Sequence, residues 1–246
     1  MKRNSRFLFA ITALALAALA CQALSGGGQD TPPVDVISTV PPVGVQPTAE
    51  SIIPPIFGGS DVILSDDFSD TQWGTGTDAD SSVEYINETL QFIVFTDNYF
   101  VWSTPDAEDY SNVHIEVTAL NNSTDPDTAF GIICSMQITN VSYYFAVTLS
   151  GQYAIAKSMV ALDDVFLTND DAWADSDLIP QNASSYRVGA DCGGDGTLTL
   201  YVNGRQIDSV NDTDYGSGNV ALFTWSADEP AGANISFDDF EMKELP

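Results

Sequence analysis

Two copies of one tripeptide present the first chemistry in the chain. Asp66-Asp67-Phe68 lies within Val62–Ser69, and Asp238-Asp239-Phe240 within Asn234–Met242. Side chains alternate along a strand, so two adjacent Asp carboxylates face opposite ways. Neither pair can alone form the two-carboxylate couple that flanks a glycosidic bond during hydrolysis. One Asp from each copy can converge instead. Asp67 and Asp239 are the residues that would present carboxylates to a cation, and calcium, with about six to eight oxygen ligands, is the ion they would suit. The alternative is that one Asp simply accepts backbone N–H groups where a sheet closes. Asp125-Pro-Asp127, and Asp170-Asp171 with Asp175 and Asp177, are further acidic clusters. None has EF-hand spacing, and solvated acidic loops explain them as well.

Other reactive types are sparse. His114 is the one histidine, no Gly-x-Ser-x-Gly elbow occurs, and no Cys/His cluster suggests zinc. His114-Ile-Glu116 places an imidazole and a carboxylate on one strand face. A lone pair of this kind is more often a surface hydrogen bond than an acid/base couple. No Glu-x-Asp-x-Glu run is present, so the chain leans away from being an enzyme. A binding face is better supported, since ligand sites combine apolar and aromatic walls with a few placed polar groups. Outward positions that fit are Trp102, His114, Glu116, Gln137, Tyr144 and Arg187. Arg187 in mid-strand is either an ion-pair partner, with Glu116 or Asp191, or a ligand clamp. Trp73, Trp173 and Trp225 lie in or beside loops and read as packing residues.

The elements that must position these residues are short alternating runs broken by Asn, Asp, Gly and Ser, the mark of antiparallel strands. The pattern predicts strands over 62–68, 82–87, 89–95, 99–103, 112–120, 128–138, 142–150, 152–159, 185–192, 197–203, 205–210, 219–225 and 234–242. Asn203-Gly204 between two such runs is a hairpin turn signal. No long 3.6-residue apolar period appears, so helix should be minor. Alternation assigns Val113, Ile115, Val117 and Ala119 to the core, with Phe130, Ile132, Cys134 and Met136, with Tyr143, Phe145, Val147 and Leu149, and with Tyr186, Val188, Ala190 and Cys192. Residues 61–246 therefore read as one all-β domain, a two-sheet antiparallel β-sandwich whose first and last strands lie side by side.

The preceding residues differ in texture. Lys2, Arg3 and Arg6 precede an apolar run to Ala20, followed by Cys21, the pattern of a secretory signal. Residues 22–60 hold seven of the twelve prolines and a Gly26-Gly27-Gly28 run. Such a stretch is a tether rather than a folded layer. Ala18-Leu19-Ala20-Cys21 resembles the bacterial lipobox, with Ala18 where Leu is commonest. This resemblance implies that residues 1–21 are a lipoprotein signal ending in a lipidated Cys21. The mature protein would then be anchored to the cell membrane on its extracytoplasmic face without spanning it. Cys134 and Cys192 remain, both on core-facing register, and form a candidate disulfide. Two free buried thiols are the alternative. Without Lys2, Arg3 and Arg6 the chain keeps 4 basic residues against 35 acidic ones, a formal charge of −31. That field disfavours nucleic acid as a partner.

The runs Ala129–Cys134, Tyr143–Val147, Gly151–Lys157, Tyr186–Ala190, Leu198–Gly204 and Phe237–Phe240 resemble concanavalin A-like jelly rolls. The nearest branches are laminin-G-like domains and the bacterial domains named after 3-keto-disaccharide hydrolases. The resemblance covers 62–242 and implies a jelly-roll sandwich, a fold that hosts lectins, hydrolases and adhesion modules alike. Together with the outward set above and the missing catalytic motifs, the expectation is a lectin-like domain that binds carbohydrate or another cell-surface ligand without catalysis. A glycoside hydrolase or lyase is the competing expectation, and a structural adhesion module the third.

Overall fold

The computed structural model describes residues 61–227 and 232–246. The signal, Cys21 and the 22–60 tether lie outside them. Among the described residues no helix forms, as expected from a chain whose apolar residues alternate.

The strands are β1 (Val62–Asp66), β2 (Gly76–Thr77), β3 (Ser81–Ile86), β4 (Thr89–Val94), β5 (Phe100–Ser103), β6 (Val113–Asn121), β7 (Ala129–Ile138) and β8 (Val141–Thr148). They continue as β9 (Gln152–Ser158), β10 (Val165–Phe166), β11 (Ala174–Asp175), β12 (Ser185–Cys192), β13 (Thr197–Val202), β14 (Arg205–Asn211), β15 (Asn219–Trp225) and β16 (Ala233–Glu244). Every expected strand is present within a few residues. β2, β10 and β11 were not expected, because two-residue strands carry no measurable period.

Two antiparallel sheets result. A nine-stranded sheet runs β14-β13-β12-β6-β16-β4-β3-β2, with β1 also on β16, and a seven-stranded sheet runs β10-β9-β8-β7-β15-β5, with β11 on β9. The inward faces assigned by alternation pack together between the sheets, Phe130, Phe145, Tyr186 and Phe237 being fully buried there. Cys134 on β7 and Cys192 on β12 form a disulfide with 6.5 Å between their Cα atoms. The bridge joins the two sheets through the core. At Asn203-Gly204 both residues adopt positive φ, 53° and 71°, the geometry of the tight turn between β13 and β14.

The first and last strands do pair. β16 hydrogen-bonds to β4 through Ala233–Phe237 and to β1 through Phe240–Lys243, keeping β6 along its other edge. Its register shifts between Asp238 and Glu241, with Asp239 at φ 49°. This bulge lets one long strand serve two partners on the same edge. Phe68 and Phe240, the aromatics of the two tripeptides, pack on Trp73 with ring centroids 5.5 and 5.0 Å away. Asp66 fixes that cluster by accepting the Phe68 N–H at 2.7 Å and the Trp73 indole N–H at 3.0 Å.

One inward assignment fails. Met136 faces the outside of the seven-stranded sheet, beside Ile133. Ser135 takes φ 51° and the β7–β8 register shifts after Cys134. A bulge of this kind inserts one residue and reverses the parity of the rest of the strand.

Candidate functional site

The outer face of the seven-stranded sheet carries a groove of about 650 Å³. Its floor is built from small residues, among them Ala146 and Ala129, with Ile133 and Met136. The walls are aromatic. Phe100 and Trp102 come from β5, Phe223 and Trp225 from β15, Tyr144 from β8, Phe166 from β10 and Trp173 from the following loop. Small floor residues between large walls leave the volume empty. Phe100 stacks on Phe223 at 4.7 Å with planes 20° apart, and Tyr144 meets Phe223 edge-on at 5.9 Å. Phe100 and Trp102 remain 39% and 37% exposed, so two aromatic side chains stay available on the edge strand.

Most polar groups of the groove gather at one end. The loop after β9 brings Asp163 and Asp164, and the β7–β8 turn brings Thr139 and Asn140. Ser142 pairs with Ser158 across β8 and β9, which places those two loops side by side. The Tyr144 hydroxyl donates to Asp164 Oδ2 at 2.9 Å. Burial and the adjacent carboxylate push the Tyr144 phenol up. Partial loss of water pushes the Asp164 carboxyl up as well. At another point on the wall the Trp225 indole N–H donates to Asn98 Oδ1 at 3.2 Å.

The sequence-derived set divides between the two sheets. Trp102 and Tyr144 line this groove, whereas Gln137 is exposed past the β7 bulge and does not line it. His114, Glu116 and Arg187 occupy the outer face of the nine-stranded sheet. There they satisfy one another. His114 Nδ1 lies 2.6 Å from Asp191 Oδ1, and Nε2 lies 3.6 Å from Glu116 Oε1. Arg187 donates to Glu116 Oε2 through Nε and Nη2 at 3.4 Å, to Thr118 Oγ1 at 3.2 Å and to the Asp239 carbonyl. The Tyr201 hydroxyl closes the chain on Asp191 at 2.7 Å. The hydrogen bonds to Asp191 and Glu116 raise the His114 pKa to about 9. The same His114 contact, with the Arg187 charge, lowers Glu116.

Asp67 and Asp239 both line a hollow of about 460 Å³ on that face, beside Arg187. Asp67 accepts from the Ser69 hydroxyl and amide. Asp66, which also borders the hollow, is held by Phe68 and Trp73. Among the described residues no three His, Cys, Asp or Glu side chains gather as a cation cage, and Arg187, which lines the same hollow, donates to the Asp239 backbone carbonyl.

Several groove residues escaped the sequence reading. Phe100 shares the parity of Trp102, and Phe223 and Trp225 share one face of β15, so alternation could have found them. Trp173, Phe166 and Asp163–Asp164 needed the fold, because loops and a two-residue strand bring them in. Trp73 alone of the loop tryptophans is core, at 4% exposure.

No family model matches the chain, and no curated protein matches it. Solved structures do. The carbohydrate-binding module CBM66 from Bacillus subtilis superposes with a TM-score of 0.56 at 15% identity, over 71% of this chain and 96% of that one. A Bacillus subtilis protein of unknown function with a galectin-like fold gives 0.55 at 10% identity, over 76% and 96%. The kappa-carrageenase of Pseudoalteromonas carrageenovora, solved with an oligosaccharide of kappa-carrageenan, gives 0.53 at 13% identity, over 78% and 98%. At these identities the likeness defines the fold: the domain is a concanavalin A-like jelly roll.

Proposed function

We propose that the domain binds glycan, without catalysis, in the groove on the outer face of the seven-stranded sheet. The observation that carries this reading is the groove itself, an open trough with aromatic walls and polar groups at one end. Sugar rings present C–H faces that lie on aromatic rings and hydroxyls that need hydrogen-bond partners, and such a wall offers both. The neighbouring folds include a carbohydrate-binding module and a carrageenan-degrading enzyme, which supports a glycan partner. Against catalysis, the two carboxylates in the groove lining are sequence neighbours at one end. Hydrolysis needs carboxylates on both sides of the scissile bond.

We further propose that the protein is exported and lipid-anchored through Cys21, with residues 22–60 as the tether. The inter-sheet disulfide supports an oxidising compartment. Palmitate labelling that survives Cys21→Ser would remove the anchor from this reading.

The binding claim is tested on a glycan array with folded wild type, Trp102→Ala and Arg187→Gln. Loss of an aromatic platform should weaken binding about tenfold or more, the scale of one well-packed aromatic contact. Arg187→Gln, on the other sheet, should leave it unchanged. The reverse pattern would move the site to the nine-stranded sheet.

A further inference from the structure

Resting on the glycan reading of the groove, we propose that its ligand carries a free, protonated amine: the groove is built for an amino sugar, seated on the aromatic wall with its ammonium at Asp163 and Asp164. Charge selects this class. The groove lining contains two carboxylates and no Lys, Arg or His. The described cations are engaged elsewhere or exposed. Lys157 pairs with Asp212 and Asp214, Lys243 with Glu241, Arg187 with Glu116, and Arg205 lies exposed at the start of β14. Among the described residues no ion pair reaches Asp163 or Asp164, and Asp164 is met by the neutral hydroxyl of Tyr144.

Geometry joins the charge to the wall. Tyr144 packs on Phe223 by its ring and bonds Asp164 by its hydroxyl. Of the Phe100–Phe223–Tyr144 cluster only Phe100 is exposed, with its ring centroid 6.4 Å from that of Tyr144, so the carboxylate that Tyr144 holds sits beside the Phe100 surface. A sugar lying on that surface turns one substituent towards Asp164. An ammonium there gains a carboxylate partner at the edge of an aromatic wall, whose electron-rich faces attract cations. Its positive charge also favours the ionised Asp164 carboxylate and so offsets the desolvation that raises it. A uronate or sulfate in the same place would meet two like charges on a chain of formal charge −28.

The experiment titrates the full chain with three oligosaccharides of equal length at about pH 6 and near-physiological salt. They are a glucosamine tetramer, the same tetramer N-acetylated, and a galacturonate tetramer. Three of the four tryptophans, Trp102, Trp173 and Trp225, line the groove, so intrinsic fluorescence reports occupancy directly. The amine form should bind about tenfold or more tighter than the acetylated form, as expected for one cation–π contact plus one partly desolvated ion pair. Asp163→Asn with Asp164→Asn should reduce that preference to about twofold or less. Asp70→Asn with Glu88→Gln removes the same charge around the other sheet and should leave it intact, which separates a site from general attraction to an acidic protein. Equal or tighter binding of the acetylated or galacturonate tetramer overturns the amine assignment and leaves the glycan reading standing. Binding of choline chloride as tight as that of the glucosamine tetramer would keep the ammonium site and remove the sugar. If none of the oligosaccharides binds, both readings fall together.

Discussion

Removing the Cys134–Cys192 bridge tests the architecture most directly. The two cysteines are 58 residues apart in sequence. For a closed loop of that length, the chain-entropy relation gives about 4 kcal/mol of stabilisation at 25 °C, through the unfolded ensemble. Cys134 and Cys192 are 1% and 4% exposed, so replacing both by alanine also leaves a small void. We expect Cys134→Ala/Cys192→Ala to lose about 3–5 kcal/mol relative to the oxidised protein. Guanidinium unfolding followed by tryptophan fluorescence measures the loss. Wild type treated with reductant should fall by a similar amount. Ile133 and Met136 flank Cys134 on the groove side, yet their positions are held by β8 and β15 pairing. Ligand affinity should therefore change far less than stability. A double-alanine variant within about 1 kcal/mol of a wild type whose mass confirms the bridge would refute the loop-entropy argument.

Three further outcomes are expected from the structure. His114 has its pKa raised to about 9, so its contribution is complete below the unfolded value of about 6.5 and is lost as pH rises through about 9. The shift bounds that contribution at about 3 kcal/mol, and partial exposure reduces it to roughly 1–2 kcal/mol. The stability difference between wild type and His114→Gln should thus shrink between about pH 6.5 and 10, and a pH-independent difference would contradict the ion-pair account. Asp66→Ala strands the buried indole N–H of Trp73 and should cost roughly 1–3 kcal/mol in thermal or chemical unfolding, with Asp67→Ala near neutral. At Gly131 any Cβ would collide with the Phe145 carbonyl oxygen and crowd Phe223. Gly131→Ala should destabilise by about 2–4 kcal/mol and distort the groove wall, measurable as a lower midpoint and weaker ligand binding.

Strand positions and core faces were legible because both depend on a period of two. Val113, Ile115 and Val117 are buried for the reason their spacing suggests. The closure of β1 on β16 was readable from the repeated tripeptide. The candidate groove was legible only in part. Parity tells outward from inward, but not which of two sheets an outward residue belongs to. Trp102 and His114 therefore looked equivalent in sequence and lie on different sheets. One bulge at Ser135 was enough to reverse Met136, and a bulge leaves no alternation signal of its own. Asp163, Asp164 and Trp173 reach the groove from loops, whose paths are set by the sheet they cross rather than by their own composition.

The two outer faces differ in how completely their polar groups are satisfied, and that difference supports the groove as the proposed site. On the nine-stranded sheet, Tyr201, Asp191, His114, Glu116 and Arg187 form a continuous run that ends on the Asp239 carbonyl. A ligand there would have to displace this run, including the short His114–Asp191 bond, a charge-assisted contact worth about 1.5–3 kcal/mol, before making its own. On the seven-stranded sheet the aromatic faces of Phe100 and Trp102 have solvent on one side. The Asp164 carboxylate has a hydroxyl for a partner and, among the described residues, no cation. Binding there adds contacts without breaking strong ones, and water released from the aromatic wall favours it further. The charged face is rich in residue types usually associated with function, but its chemistry is internally neutralised. The plainer face, apolar and acidic, is the one left able to gain from a partner.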